Sequence, residues 1–137
     1  MAQQTHLTRD VGLSPAVVVQ AQLEAYNARD LDGLLATYAR DAKQFEHPDK
    51  LLASGHAEIR ERTTARFSEP NLHATLLQRS VMGTIVIDHE IVTRTFPEGA
   101  GRIELVCIYE VVDGKIQTAS FIFGAKSLDP ASDTRAI

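Results

Sequence analysis

Three short stretches carry the side chains with the most evident chemistry. Glu46-His47 stands directly before Pro48. An imidazole at that place can act as a general base near neutral pH, and the carboxylate beside it is the alternative base. The non-functional alternative is that one of the two caps the Pro48 turn and the other is solvated. His89 sits in the alternation Ile85, Ile87, His89, Ile91, which turns its imidazole toward the apolar side of a strand. A buried polar group needs a hydrogen-bond partner, and ligand, water or another side chain could supply it. Cys107 alternates with Leu105 and Tyr109 and reads as a small buried apolar group, because a thiol in such surroundings is normally inert. Should His47 and His89 reach one cavity, they would support proton transfer, as in a dehydration, an isomerisation or a cyclisation.

These groups must be positioned by helices first and strands after. Ser14-Pro15 is an N-cap followed by a favoured first helical residue, and Val19, Leu23 and Tyr26 recur behind it at helical spacing to about Ala28. Asp30 is a second N-cap, followed by Leu31, Leu34, Leu35 and Tyr38 on one face of about two turns. Residues 42–47 read as a short strand broken by Pro48, with 51–53 as its hairpin partner. Ser54-Gly55 opens a third helix over 56–67, with Ile59, Thr63 and Phe67 inward and Glu58 set to pair with Arg62 at i, i+4.

From Leu72 the period changes to two, giving strands over 72–82, 84–96, 102–112 and 115–124. Asp113-Gly114 is a two-residue hairpin signal. Helices grouped before hairpin-linked strands predict an α+β domain, three N-terminal helices on a curved antiparallel sheet. Alternation assigns Ile85, Ile87, His89 and Ile91 to the inner face of their strand, with Asp88, Glu90 and Arg94 outside. On the next strand Ile103, Leu105, Cys107, Tyr109 and Val111 face inward. Gln22 and Tyr26 on the first helix, together with Tyr38, are candidate polar lining. Ile59, Phe67, Leu105, Phe121 and Phe123 are the candidate apolar wall.

Three ordered segments carry a family likeness: Tyr26 to Asp32 (YNARDLD), Glu46-His47-Pro48 with Ser54-Gly55, and Tyr109 to Ile116 (YEVVDGKI). Over roughly residues 14–124 the chain resembles the nuclear transport factor 2-like superfamily, in particular its SnoaL-like and ketosteroid-isomerase-like members. The resemblance implies a cystatin-like, cone-shaped α+β barrel around a pocket, and a homodimer joined through the outer sheet faces. It also implies isomerase, cyclase, dehydratase or hydrolase chemistry without a cofactor, or ligand binding alone. Ketosteroid isomerases place a Tyr oxyanion donor where this chain has Gln22, and a second donor, a protonated Asp, where it has Cys107. Their general-base Asp falls at His47 or Glu46, across a one-residue insertion. Tyr38 matches a position that some relatives use to support the donor. A thiol and a carboxamide are poorer donors to a dienolate than Tyr and neutral Asp, so standard steroid isomerisation is not expected.

Composition narrows the rest. The 137 residues fit one domain, with a loose arm before Ser14 and a loose tail after Ala125. A net charge of −4 with no Lys/Arg run argues against nucleic-acid binding. No signal-like or membrane-length apolar run occurs, and one Cys cannot form an internal disulfide, so a cytoplasmic protein is expected. The five His are too dispersed for a metal site, and no phosphate loop is present.

Overall fold

The first two helices begin where their capping residues stand. In the computed structural model, which describes residues 14–130, α1 (Pro15–Asn27) starts on the proline's preset φ. Its N-cap Ser14 is extended but makes no side-chain capping bond. The arm and the end of the tail expected from the sequence fall outside the described residues. α2 (Leu31–Thr37) is capped by Asp30, whose Oδ1 accepts from the Gly33 amide at 2.9 Å. This helix is shorter than its apolar spacing suggests. The Thr37 hydroxyl donates to the Leu34 carbonyl, an orphan acceptor of the last turn, and the chain then becomes extended. Tyr38, expected on the helix, therefore opens β1 (Tyr38–Glu46) and enters the core from the sheet.

A hairpin joins β1 to β2 (Lys50–Ser54) before α3 (Gly55–Phe67), so the third helix is separated from the other two. At its start the Ser54 amide donates to Glu58 Oε1 at 2.7 Å, which diverts Glu58 from the expected pair with Arg62. Four long strands follow: β3 (His73–Met82), β4 (Ile85–Phe96), β5 (Gly99–Val112) and β6 (Lys115–Leu128). The single sheet has the order β2-β1-β6-β5-β4-β3.

The sheet is mixed, not wholly antiparallel, because β1 runs parallel to β6. Hairpins dictate the direction of consecutive strands only, and β2, α3, β3, β4 and β5 separate this pair in sequence. Asp113 and Gly114 form the expected tight turn, with φ of 51° and 77°. Two boundaries also move outward. β5 begins at Gly99 because Gly99, Ala100 and Gly101 pair with Phe96, Thr95 and Arg94. β6 runs past Gly124 to Leu128, which lies opposite Gly101. A Cβ at Gly101 would collide with the Ser127 carbonyl oxygen, so the close approach needs glycine there.

Which face of each strand looks inward decides the site. On β5 the prediction holds: Leu105, Cys107, Tyr109 and Val111 are buried. On β4 it is reversed. Val86, Asp88, Glu90 and Val92 are the buried set, while Ile87 is 37% exposed and His89 half-buried. Register gives the reason: Asp88 lies opposite Cys107 and Glu90 opposite Leu105, and directly opposed residues share a face. Partners hold the inward carboxylate of Asp88. The Arg79 guanidinium grips it with two bonds of 2.7 and 2.9 Å, and Arg79 also donates to Gln20 Oε1 of α1 at 2.9 Å. The core proper lies between the helices and this inner face, where Val19, Ile59, Val86 and Ile116 are fully buried. At the end of α1, the Asn27 side chain bonds both the amide and the carbonyl of Ala74 and so fastens the helix to β3.

Candidate functional site

A cavity of about 80 Å³ opens between α1, α3 and the sheet. Its buried polar lining is Gln22, Tyr38, Gln44, Thr63, Glu90, Cys107 and Tyr109, set among Leu34, Val92, Leu105 and Phe121. Arg62, Arg66 and Arg94 line it as half-buried side chains, and Phe123 is its most exposed member.

Glu90 is the group best suited to chemistry. It is 5% exposed, and burial, reinforced by the negative charge of Asp88, pushes its carboxyl up to about 7. The Arg79 charge and a hydrogen bond from the Cys107 thiol oppose that rise without cancelling it. Near neutral pH such a carboxyl can both give and take a proton. Cys107 itself stays a thiol, since burial and the Glu90 charge push its pKa well up. Tyr109 is likewise held protonated by burial, and its hydroxyl lies 3.4 Å from Gln22 Oε1.

A second polar chain also lines the cavity. Arg62 Nη1 donates to Gln44 Oε1 at 3.0 Å, and Gln44 Nε2 donates to the Tyr38 hydroxyl at 3.2 Å. A guanidinium can only donate, so this contact orients the amide and makes Tyr38 oxygen the acceptor. The Tyr38 proton has no acceptor in the hydrogen bonds of the described residues. Burial keeps it on the oxygen by raising the phenol's pKa. Tyr38 is thus a neutral donor lining the cavity, polarised by the Arg62–Gln44 chain behind it.

Eight of the residues expected at the pocket do line it: Gln22, Tyr26, Tyr38, Thr63, Leu105, Cys107, Phe121 and Phe123. Ile59 is wholly buried in the core behind it, and Phe67 packs edge-on to Tyr26 with ring centres 5.7 Å apart. The three expected catalytic residues lie elsewhere. His47 is exposed in the β1–β2 turn, its amide bonded to the Phe121 carbonyl at 2.8 Å. Glu46 faces Lys50 at 3.9 Å. A bulge between Gln44 and Phe45 shifts the register here, and the turn carries both side chains off the cavity wall. His89 is on the outer face of β4, 2.5 Å from Glu104 of β5, which corrects the inward orientation read from its isoleucine neighbours.

Glu90 and Arg94, expected on the outer face, line the cavity instead, as do Gln44, Arg62 and Arg66, for which the sequence suggested no site role. The usable signal for Glu90 was its alternation with Val86, Asp88 and Val92 opposite a clearly inward β5. For the arginines it was the one-turn spacing of Arg62 and Arg66 beside Thr63 on the helix face that also carries Ile59.

The family model of the SnoaL-like domain matches residues 19–119. No curated protein matches the chain significantly. Among solved structures, an uncharacterised cystatin-fold protein from Novosphingobium aromaticivorans is 26% identical, with a TM-score of 0.73, covering 80% of this chain and 97% of that one. A hypothetical protein from Catenulispora acidiphila with a ketosteroid isomerase-like fold, in complex with trimethylamine, is 14% identical with a TM-score of 0.68, covering 78% and 85%. An LEH-like epoxide hydrolase of M. tuberculosis is 16% identical with a TM-score of 0.67, covering 77% and 79%. The last two likenesses concern the fold alone.

Proposed function

The chain belongs to the SnoaL-like domain family, and we propose that it binds a small, largely apolar, oxygenated molecule between helices and sheet and moves a proton on it without a cofactor. The observation that carries this reading is Glu90: a carboxyl buried against the cavity and poised at about 7. Tyr38 lines the same cavity, and in this reading its hydroxyl donates to the substrate oxygen. In this mechanism Glu90 removes a proton from a carbon next to a carbonyl, Tyr38 stabilises the enolate oxygen, and Glu90 returns the proton to that carbon or, where a neighbouring double bond extends the enolate, to the far end of the conjugated system. Gln22 and Tyr109 orient the ligand, and Leu105, Phe121 and Phe123 contact its apolar body. The role first assigned to His47 and His89 passes to Glu90, since both imidazoles lie off the cavity wall.

The same reading includes a cytoplasmic homodimer. Ile87 and Ile122 leave 37% and 38% of their surface exposed on the outer sheet face, and Val106 and Ile108 stand between them. A second copy covering that stripe would remove this apolar surface from water.

The test is deuterium exchange at the carbon beside the carbonyl of a probe ketone, 2-tetralone, followed by proton NMR in D₂O. Wild-type protein should accelerate the exchange and Glu90→Gln should lose that acceleration, with Tyr38→Phe in between. A second reading, a non-catalytic dimeric binding module with a vestigial pocket, is favoured by the position of His47 and Glu46 outside the cavity. It predicts equal exchange for wild type and Glu90→Gln.

A further inference from the structure

We propose that the molecule taken by this cavity carries a carboxylate, and that Arg62 is the residue that binds it. This names the substrate class of the site assigned above and rests on that reading for the cavity's being a ligand site. The argument begins with charge. The chain as a whole is at −4, yet three guanidinium groups line this one cavity, Arg62, Arg66 and Arg94, against the single carboxylate of Glu90.

Two of the three are already answered. Glu69 accepts from Arg94 at 3.1 and 2.7 Å, lies 3.5 Å from Arg66, and takes the Thr95 amide at 3.0 Å. Glu69 is thereby used up. The other carboxylates near the site are committed too: Asp88 to Arg79, and Glu58, one turn before Arg62 on α3, to the Ser54 amide.

Arg62 is the exception. Among the described residues it makes no ion pair, and its one hydrogen bond goes to the neutral Gln44 Oε1 at 3.0 Å. It is half-buried, and it stands one helical turn from Arg66, a like-charge spacing that destabilises a helix. Its pKa is lowered by burial first and by Arg66 next, as expected for a cation whose surroundings do not compensate it. A charge taken out of water without a counter-charge is costly. Its placement is nevertheless fixed, by Gln44 on one side and by the Phe121 ring, 5.5 Å from the guanidinium carbon, on another. A held, half-buried, cavity-lining guanidinium with most of its five donors unused is complementary to a planar anion that can accept two parallel bonds, and a carboxylate is that anion. The apolar wall of Leu105, Phe121 and Phe123 then specifies an apolar body behind the acid group.

The experiment is isothermal titration of the full chain with matched acid and amide pairs: 3-phenylpropanoate against 3-phenylpropanamide, and octanoate against octanamide. Each acid should bind at least about tenfold more tightly than its amide, the scale of one charge-assisted bond. Arg62→Gln should abolish that preference while leaving amide binding within about twofold, and Arg62→Lys should restore it in part. As a readout of place, the Arg62 Nε–H resonance, identified by its loss in Arg62→Lys, should shift with the acids and not with the amides. Glu90→Gln should retain the acid preference even where it abolishes proton exchange, so failure of the catalytic reading is distinguishable from failure of this one. Equal affinity for acid and amide, an acid preference that survives Arg62→Gln, or no acid binding at all would each overturn the proposal.

Discussion

Glu90→Gln should make the protein more stable at alkaline pH, and the structure says by how much and over what range. The carboxyl has an ordinary value of 4.5 in the unfolded chain and is raised to about 7 when folded. Between those two values the folded state binds the extra proton, so stability is fully present below about 4.5 and falls as pH rises toward 7. Above that the loss is complete. At about 1.4 kcal/mol per unit, the interval corresponds to about 3 kcal/mol. Glu90 is only 5% exposed, so little of this is discounted by solvent screening. Glutamine has nearly the same shape and no charge to desolvate, and its stability should lack this component of the pH dependence. The measurement is urea unfolding of wild type and variant, followed by far-ultraviolet circular dichroism, at intervals from about pH 4.5 to pH 8. The difference between the two proteins should grow in favour of the variant by about 3 kcal/mol across the range, the other titrating groups being common to both. Parallel stability curves would refute the argument, because they would mean that the Glu90 carboxylate is as well solvated folded as unfolded.

Three further outcomes follow from neighbouring features. Asp88→Asn should destabilise by about 3–5 kcal/mol, since it leaves the Arg79 guanidinium without its counter-charge in a largely buried place; Arg79→Met in the same chain should recover part of the loss in urea titrations. Cys107, 1% exposed and held as a thiol, should react with an aromatic disulfide reagent only at the rate at which the protein opens, and completely once urea unfolds it. By contrast His89→Ala should change unfolding free energy by less than about 1 kcal/mol, because its pair with Glu104 is on the outer face in partial contact with solvent. The same variant should leave binding of the acid probes unchanged in titration, which an inward imidazole would not allow.

The candidate site shows where pattern reading stops. Gln22 and Cys107 are legible because each shares a side with neighbours that agree about the inward direction, whereas Tyr38, expected inward from a helix, reaches the cavity from β1. Glu90 and His89 were exchanged because β4 presents isoleucines on one face and acidic residues on the other. The common rule then points the apolar face at the core. That rule runs one way only: apolar surface also remains outside, and carboxylates go inside when they are answered there. The answering groups are Arg79 on β3 for Asp88 and the Cys107 thiol on β5 for Glu90, and no local pattern along β4 reveals either.

Helix starts, the tight turn and the α+β class were therefore legible from local chemistry. Pro15, Asp30, Ser54 and Asp113-Gly114 act through bonds and dihedral preferences of a few adjacent residues, and each element begins or turns where those residues stand. The alternation along β5 fixed its own inward face for the same reason. What the tertiary structure decided were relations between distant segments: the parallel pairing of β1 with β6, the facing of β4 by its register with β5, and the turn that carries His47 away. It also decided that Arg62 on α3 would stand against Gln44 on β1 without a carboxylate. Long-range register and the balance of buried charge depend on which strands meet, and only the folded chain brings them together.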